Sequence, residues 1–190
     1  SRGLGDVYKR QLFIFMLLCM MFTAATELGT TQRIEVLLGK SLESPILILV
    51  FINGLMALGR LYAGPIVHKL SITKVLLFSA IFSCLGLFLL ANTSGAMTFL
   101  AAAVFAIGVC YFWPTMLSFV SEKIPESGAL GLSLMGGAGM LSVSFVLPQM
   151  GKLMDSNTTG SELLLLYAYI PAILIVAFLI LHIYVKTKKI

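Results

Sequence analysis

The sequence predicts an all-α membrane protein of six transmembrane helices, and three observations lead to that fold class. Hydrophobic residues make up 59% of the 190-residue chain and charged residues only 11%, whereas soluble domains average about 45–50% apolar and about 25% charged residues. Six apolar runs follow one another, each close to the ~20 residues that a helix needs to cross a bilayer. The alternating polarity of membrane β-strands does not occur in them.

Short polar breaks separate the six predicted spans. We place the spans at about residues 12–38, 45–67, 74–91, 97–121, 129–150 and 163–185. Because the breaks are short, each helix is expected to run antiparallel to the one before it.

The distribution of lysine predicts the orientation of these helices. One face of the membrane is richer in lysine, and by the positive-inside rule it is the cytoplasmic face. A bacterial inner-membrane protein with a cytoplasmic C-terminus is therefore expected. The net charge of +5 does not indicate nucleic-acid binding, since no basic surface is formed. The richer face carries Lys69, Lys74, Lys123, Lys186, Lys188 and Lys189, and the other carries Lys40 and Lys152.

The first eleven residues are expected to be foreign to the protein. Asp6 through Gln11 resembles the in-frame translation of a transposon end used in preparing sequencing libraries. We therefore assign residues 1–11 to a non-native segment and residues 12–190 to one six-helix bundle, and expect a gene truncated upstream. A secretory signal peptide is the rival interpretation, but the membrane pattern that continues downstream disfavours it.

The six spans differ in character, and the differences recur in order. Spans one and four carry polar residues at mid-membrane, spans two and five are rich in small residues, and spans three and six are almost uniformly apolar. Such matching interruptions indicate a 3+3 inverted repeat of the kind found in transporters. The alternative is that glycine and proline are simply frequent in membrane helices.

Several segments carry a resemblance to a known family. Gly59 through Gly64 is similar to the Gly-Arg-aromatic-small-Gly segment of the fucose/glucose/galactose permease-like branch of the major facilitator superfamily. Gly64 through Leu76 resembles a degenerate second copy of the superfamily loop motif, with Lys69 at its basic position. His68 replaces the Asp of that motif and Ser71 its Gly. Further similarity to the branch lies in Trp113-Pro114-Thr115, Gly136-Gly137-Ala138 and Pro148 to Gly151.

The resemblance implies the C-terminal half of a transporter that works by alternating access. The partners it implies are an N-terminal six-helix half, a small-molecule solute and a coupling proton. Spans one and four would line the cavity, two and five would face the other half, and three and six would stand outside. Residues expected in gating or structural roles are Arg60, Gly64, Lys69, Pro114, Gly136 and Gly137.

Glu27 is the foremost candidate for a solute or proton site. The apolar run before it is too short to span, so the helix must continue through the polar stretch. Glu27, Thr30 and Thr31 share one helical face, and offer a carboxylate and two hydroxyls to a polyol or sugar. A charge at the bilayer centre costs ~2.5–3.5 kcal/mol or more, which favours a function. A structural carboxylate near the outer surface, or one paired with Arg33, is the alternative.

Arg60 has several possible roles. It could pair with Glu27, contact the solute, bond to free carbonyls at the cytoplasmic gate, or extend towards the membrane interface. Structural or gating use is favoured over direct solute contact. Gln32 and Asn53 are candidates either for hydrogen bonds to the solute or for contacts between helices.

Span four offers aromatic candidates around a proline. Tyr111 and Thr115 share a face, and Tyr111 is the preferred residue for stacking on a sugar ring. Trp113 lies nearly opposite on a regular helix, which favours packing. Pro114 removes a hydrogen bond to the carbonyl of Cys110, and the resulting kink could turn Trp113 inward.

The expected function is secondary active transport of a small polar solute, with proton-coupled sugar uptake favoured. A drug or metabolite exporter of the same superfamily and a six-helix membrane subunit that transports nothing remain alternatives. An enzyme is not expected, and neither a cofactor nor a metal site is predicted. Cys19, Cys84 and Cys110 lie in apolar runs without metal-ligand spacing.

Overall fold

The structure is a computed structural model that describes residues 2–39, 45–155 and 158–188. Within these ranges the backbone is helical apart from short turns, and no strand occurs. Lys40 and Lys189 lie outside the described residues, as do the side chains of residues 2–6, His68 and Lys188.

The helices α1 to α9 follow one another along the described chain. A π-helical segment joins α1 to α2, and a 3-10 helix precedes α8. Their bounds are Arg2–Ala24 (α1), Ala25–Gly29 (π segment), Thr30–Leu38 (α2), Pro45–Leu61 (α3), Ala63–Leu70 (α4), Ile72–Asn92 (α5), Met97–Cys110 (α6), Phe112–Lys123 (α7), Pro125–Ser127 (3-10), Gly128–Asp155 (α8) and Gly160–Lys188 (α9).

Five helical stretches in the described part of the chain are long and apolar enough to cross a membrane. Each contains one of the predicted spans 12–38, 74–91, 97–121, 129–150 and 163–185. The chain is therefore an all-α, multi-pass membrane protein, as the sequence predicted. The five stretches are Val7–Leu38, Ile72–Asn92, Met97–Lys123, Pro125–Asp155 and Gly160–Thr187.

The remaining predicted span, 45–67, is not one continuous helix, and it is not among these five stretches. α3 ends at Leu61 after 17 residues, and Tyr62 turns the chain with φ −98° and ψ 3° before α4 begins. Pro65 explains the break, because it has no N–H to donate to the carbonyl of Leu61 four residues earlier. The last turn of α3 is also tighter than an α turn, because the amide of Tyr62 donates to the carbonyl of Gly59, three residues earlier, at 3.1 Å.

The first predicted span passes through its polar stretch by a change of helical geometry. Ala25–Gly29 is π-helical, and α2 continues from it at Thr30 without a loop. A π turn holds one more residue than an α turn, and such turns occur frequently at functional sites. Glu27 lies at the middle of this segment.

Two glycines let α5 and α6 cross at very short distance. A Cβ at Gly86 would lie 2.4 Å from the Cα of Phe105, and one at Gly108 would lie 2.3 Å from the backbone nitrogen of Ser83. α5 also packs along α9, so the two apolar helices expected on the outside form a large part of the core. Their outer faces remain exposed and apolar, as at Phe78 and Ile173.

Several glycines of α3, α4 and α8 have open space where a Cβ would stand. A Cβ would meet no atom within 4 Å at Gly54 and Gly64 along α3 and α4, or at Gly136, Gly137 and Gly151 along α8. Gly59 and Gly139 differ, since Cβ atoms there would approach Cys110 Sγ at 3.0 Å and the Trp113 ring at 2.9 Å. One face of each small-residue helix therefore stays open.

The α5–α6 crossing gives a stability prediction. Gly108→Ala is expected to destabilise the fold by about 1–3 kcal/mol, because the added methyl group meets the backbone of Ser83. At this size the thermal midpoint in detergent should fall by about 2–4 °C per kcal/mol. Gly54→Ala, where the methyl group meets open space, is the matched control and should leave the midpoint unchanged or raise it. Equal midpoints for the two variants would contradict the close crossing.

Candidate functional site

An ion pair with one buried member joins the first helix to α3. Arg60 donates from Nη2 to Oε1 of Glu27 at 2.8 Å. Glu27 sits in the π segment and its side chain is only 5% exposed, whereas that of Arg60 is 41% exposed. The ionised form of a carboxyl group at this depth in an apolar bundle is stabilised by a countercharge, and Arg60 supplies it.

Arg60 also bonds to the backbone carbonyl that the proline of span four leaves free. Pro114 has no N–H, so the carbonyl of Cys110 four residues earlier lacks its helical donor. Arg60 Nε donates to this oxygen at 3.2 Å. The helix is interrupted at Tyr111 between α6 and α7. One guanidinium thus contacts both the π segment and the proline break.

Three buried polar atoms near these elements have no hydrogen-bond partner within the described chain. They are Glu27 Oε2, Thr30 Oγ1 and Thr115 Oγ1. Thr31 differs, because its hydroxyl donates to the backbone carbonyl of Glu27 at 2.8 Å. The predicted face of Glu27, Thr30 and Thr31 is therefore buried, and its carboxylate points to Arg60.

Gln32 and Asn53 lie at exposed positions. Asn53 donates from Nδ2 to the carbonyl of Leu49 in its own helix at 2.9 Å. Asn53 and Arg60 are seven residues apart on α3, and therefore lie on the same face, two turns apart. The open side of α3 thus carries an amide and a guanidinium.

The two aromatic candidates of span four lie against different neighbours. The Tyr111 hydroxyl is 3.6 Å from where a Cβ of Gly59 would stand, and its side chain lines an apolar groove with Ile66 and Phe78. The ring of Trp113 packs against Gly139 of α8. The structure therefore brings Tyr111 close to Gly59 of α3, and packs Trp113 of α7 against α8.

The predicted gating residues divide between the open surface and the connection after α3. Gly64 and Gly137 are exposed and Gly136 is half-buried, all without close neighbours at Cβ. Lys69 is exposed near the end of α4. Ser71 follows α4 with φ 66°, the left-handed region that favours glycine.

Two contacts escaped sequence reasoning. His182 Nδ1 lies 2.8 Å from the Thr73 hydroxyl. Lys9 pairs with Glu126, which ties the expected non-native segment to the connection before α8. Both contacts join residues more than 100 positions apart, and no local pattern marks such pairs.

The chain matches no protein-family model, no curated protein and no solved structure with significance. Among the described residues, no group of three or more His, Cys, Asp or Glu side chains is placed to hold a metal ion. The geometry of the site therefore carries the functional argument alone.

Removing Arg60 should cost more stability than removing both charges. Arg60→Gln leaves the Glu27 carboxylate buried without a countercharge, and should cost about 1–3 kcal/mol, less than a fully buried pair because Arg60 is partly exposed. Glu27→Gln/Arg60→Gln should recover much of the loss. Thermal unfolding in detergent measures this, with Lys152→Gln as the exposed control. A double variant as unstable as the sum of both single variants would contradict the pairing.

The bond from Arg60 to the free carbonyl predicts a coupling with Pro114. Pro114→Ala supplies an N–H that can bond to the Cys110 carbonyl in place of Arg60. Arg60→Gln should then cost less in the Pro114→Ala background than in the wild type, by at least about 0.5 kcal/mol. A double-mutant cycle of unfolding free energies measures the difference. Strict additivity would show that Arg60 does not serve this carbonyl.

Proposed function

We propose that this chain is the C-terminal six-helix bundle of a major facilitator-type transporter, which moves a small polar solute by alternating access. Proton-coupled uptake of a sugar is the favoured activity. The observation that carries the proposal is the Glu27–Arg60 pair, a buried carboxylate joined to a half-exposed guanidinium on an open face of the bundle. Intramembrane ionisable residues of this kind are costly and mark solute or proton pathways.

The helix contacts support the 3+3 inverted repeat. In this proposal α3 and α4 together form the second crossing, although proline divides them. In an inverted repeat, spans one, two and three correspond to spans four, five and six. The contact of α1 (span one) with α8 (span five) then corresponds to that of α6 (span four) with α3 (span two), and both occur. Likewise, the contact of α5 with α6 corresponds to the contacts of α9 with α1 and α2, and the contact of α5 with α9 corresponds to itself. This symmetry is expected of an inverted repeat.

The open faces of α3 and α8 support a second bundle as partner. Only 28% of the apolar window of Pro125–Asp155 is buried inside this chain, against 56% for Val7–Leu38. The unfilled glycines of these helices would let another helix approach closely, which is how membrane helices associate. An N-terminal six-helix half would fit that surface.

Arg60 and Glu27 differ in exposure, and we assign them different roles on that basis. A solute can reach the guanidinium of Arg60, but the carboxylate of Glu27 is almost sealed. We assign to Arg60 the hydrogen bonds to solute oxygens, with Gln32 and Asn53 as further polar contacts on the open side. Glu27 takes the coupling proton, which neutralises the carboxylate and releases Arg60. The hydroxyls of Thr30 and Thr115 have no other hydrogen-bond partner within the described chain, and we assign them to the path of that proton.

The lysine-rich end supports a cytoplasmic placement of the α4–α5 connection. Lys123 and Lys186 line one cavity together with Ser71, so the ends of α7 and α9 meet the start of α5. By the positive-inside rule this end lies in the cytoplasm of a bacterial cell. Ser71 stands at the glycine position of the resembled loop motif and adopts a φ that glycine favours.

Uptake by the full-length protein tests the coupling role. A coupled proton supports up to about tenfold accumulation of solute for each unit of pH difference. Glu27→Gln should remove this acid-driven accumulation from a sugar panel while sugar exchange across the membrane persists. Lys152→Gln should behave as the wild type. Unchanged pH-dependent accumulation in Glu27→Gln would overturn the role of Glu27, and no uptake of any sugar by the wild type would overturn the solute class.

A further inference from the structure

A cavity of about 380 Å³ lies at the lysine-rich end of the bundle, apart from the Glu27–Arg60 pair. The ends of α4, α7 and α9 and the start of α5 line it, and it is open on one side. At ~30 Å³ per water molecule it has room for on the order of ten waters, and hence for a hydrated phosphate group. The polar residues that line it are Ser71, Thr73, Glu122, Lys123, His182 and Lys186.

Cationic side chains reach this cavity from two helices. Lys123 ends α7 and Lys186 lies in the last turns of α9, so the two ammonium groups come from different sides. The single carboxylate in the lining, Glu122, accepts a hydrogen bond from Ser118 in its own helix at 3.3 Å. The described lining is therefore net positive.

A third donor is fixed by a hydrogen bond. Thr73 is buried, and its hydroxyl lies 2.8 Å from Nδ1 of His182. This contact orients the imidazole and leaves Nε2 for a ligand. Since Thr73 opens α5 and His182 comes late in α9, the contact also holds the two sides of the cavity together.

The backbone adds to the positive field. Ile72 and Thr73, the first residues of the 21-residue helix α5, line the cavity. Ser71 makes no side-chain cap there, and the amide of Val75 bonds to the carbonyl of Ser71 at 3.1 Å. The amides of Ile72 and Thr73 therefore have no acceptor within the helix, and they lie at a helix start that lines the cavity and whose dipole favours an anion.

We propose that this cavity binds a phosphate group, presented by an anionic lipid headgroup or by a soluble phosphate compound on the cytoplasmic side. Lys123 and Lys186 neutralise the charge, and His182 and the start of α5 donate hydrogen bonds. The proposal rests on the cavity and its lining, and does not depend on transport by the Glu27–Arg60 site.

Thermal unfolding of the protein in phosphatidylcholine nanodiscs tests the site with two probes. Sodium phosphate is titrated at constant ionic strength against sodium chloride, and phosphatidylglycerol is added to the discs in a separate series. Lys123→Gln/Lys186→Gln removes the two cavity charges. Lys69→Gln/Lys74→Gln removes two charges near the same end that do not line the cavity, and serves as the matched control.

We expect a ligand-dependent rise of the midpoint in the wild type and in the control. Lys123→Gln/Lys186→Gln should need at least about tenfold more ligand for the same rise of the midpoint. A shift with sodium phosphate identifies a soluble ligand, and a shift with phosphatidylglycerol alone identifies a headgroup. Equal shifts in the cavity variant and the control, or no shift with either probe, would overturn the proposal. If the double variant does not fold, Lys186→Gln alone makes the same comparison, since that side chain is exposed.

Discussion

The burial of one carboxylate in an apolar bundle is the constraint on which the rest of this structure depends. Arg60 reaches Glu27 from α3 and stabilises its ionised form there. Arg60 in turn is held by the carbonyl that Pro114 frees in span four. Three separate helices are thereby fixed to one another at mid-bundle, where apolar side chains alone would give little directional preference.

The glycines divide the molecule into a closed side and an open side. At Gly86 and Gly108 the backbones are so close that no side chain fits, and this crossing locks α5 to α6. Along α3 and α8 several glycines, among them Gly54 and Gly137, instead stand in open space. Small residues permit close helix packing in both regions. Within this chain a helix fills that space at the α5–α6 crossing, but not at the open glycines of α3 and α8.

Much of the fold could be predicted from the sequence because it follows from local composition. Hydropathy located five of the spans, and Pro114 indicated which carbonyl would be free. The break at Tyr62 was missed because the apolar pattern of 45–67 outweighed the effect of Pro65 on Leu61. The burial of Thr30 and Thr31 depends on neighbours distant in sequence, which helical spacing does not report. That Arg60 and not Arg33 pairs with Glu27 also depends on which helices pack together, and the sequence spacing does not report this.

The π segment Ala25–Gly29 also lets the first helix hold one extra residue without changing the phase between its two ends. Each residue advances an α-helix by about 100°, so one residue inserted into a regular helix would rotate everything beyond it by that angle. A wide turn absorbs the inserted residue, because it holds one more residue than an α turn over about the same rotation. An insertion elsewhere in α1 or α2 would have no such turn to absorb it, and would turn Ile34 and Leu37, buried on α2, away from their present neighbours.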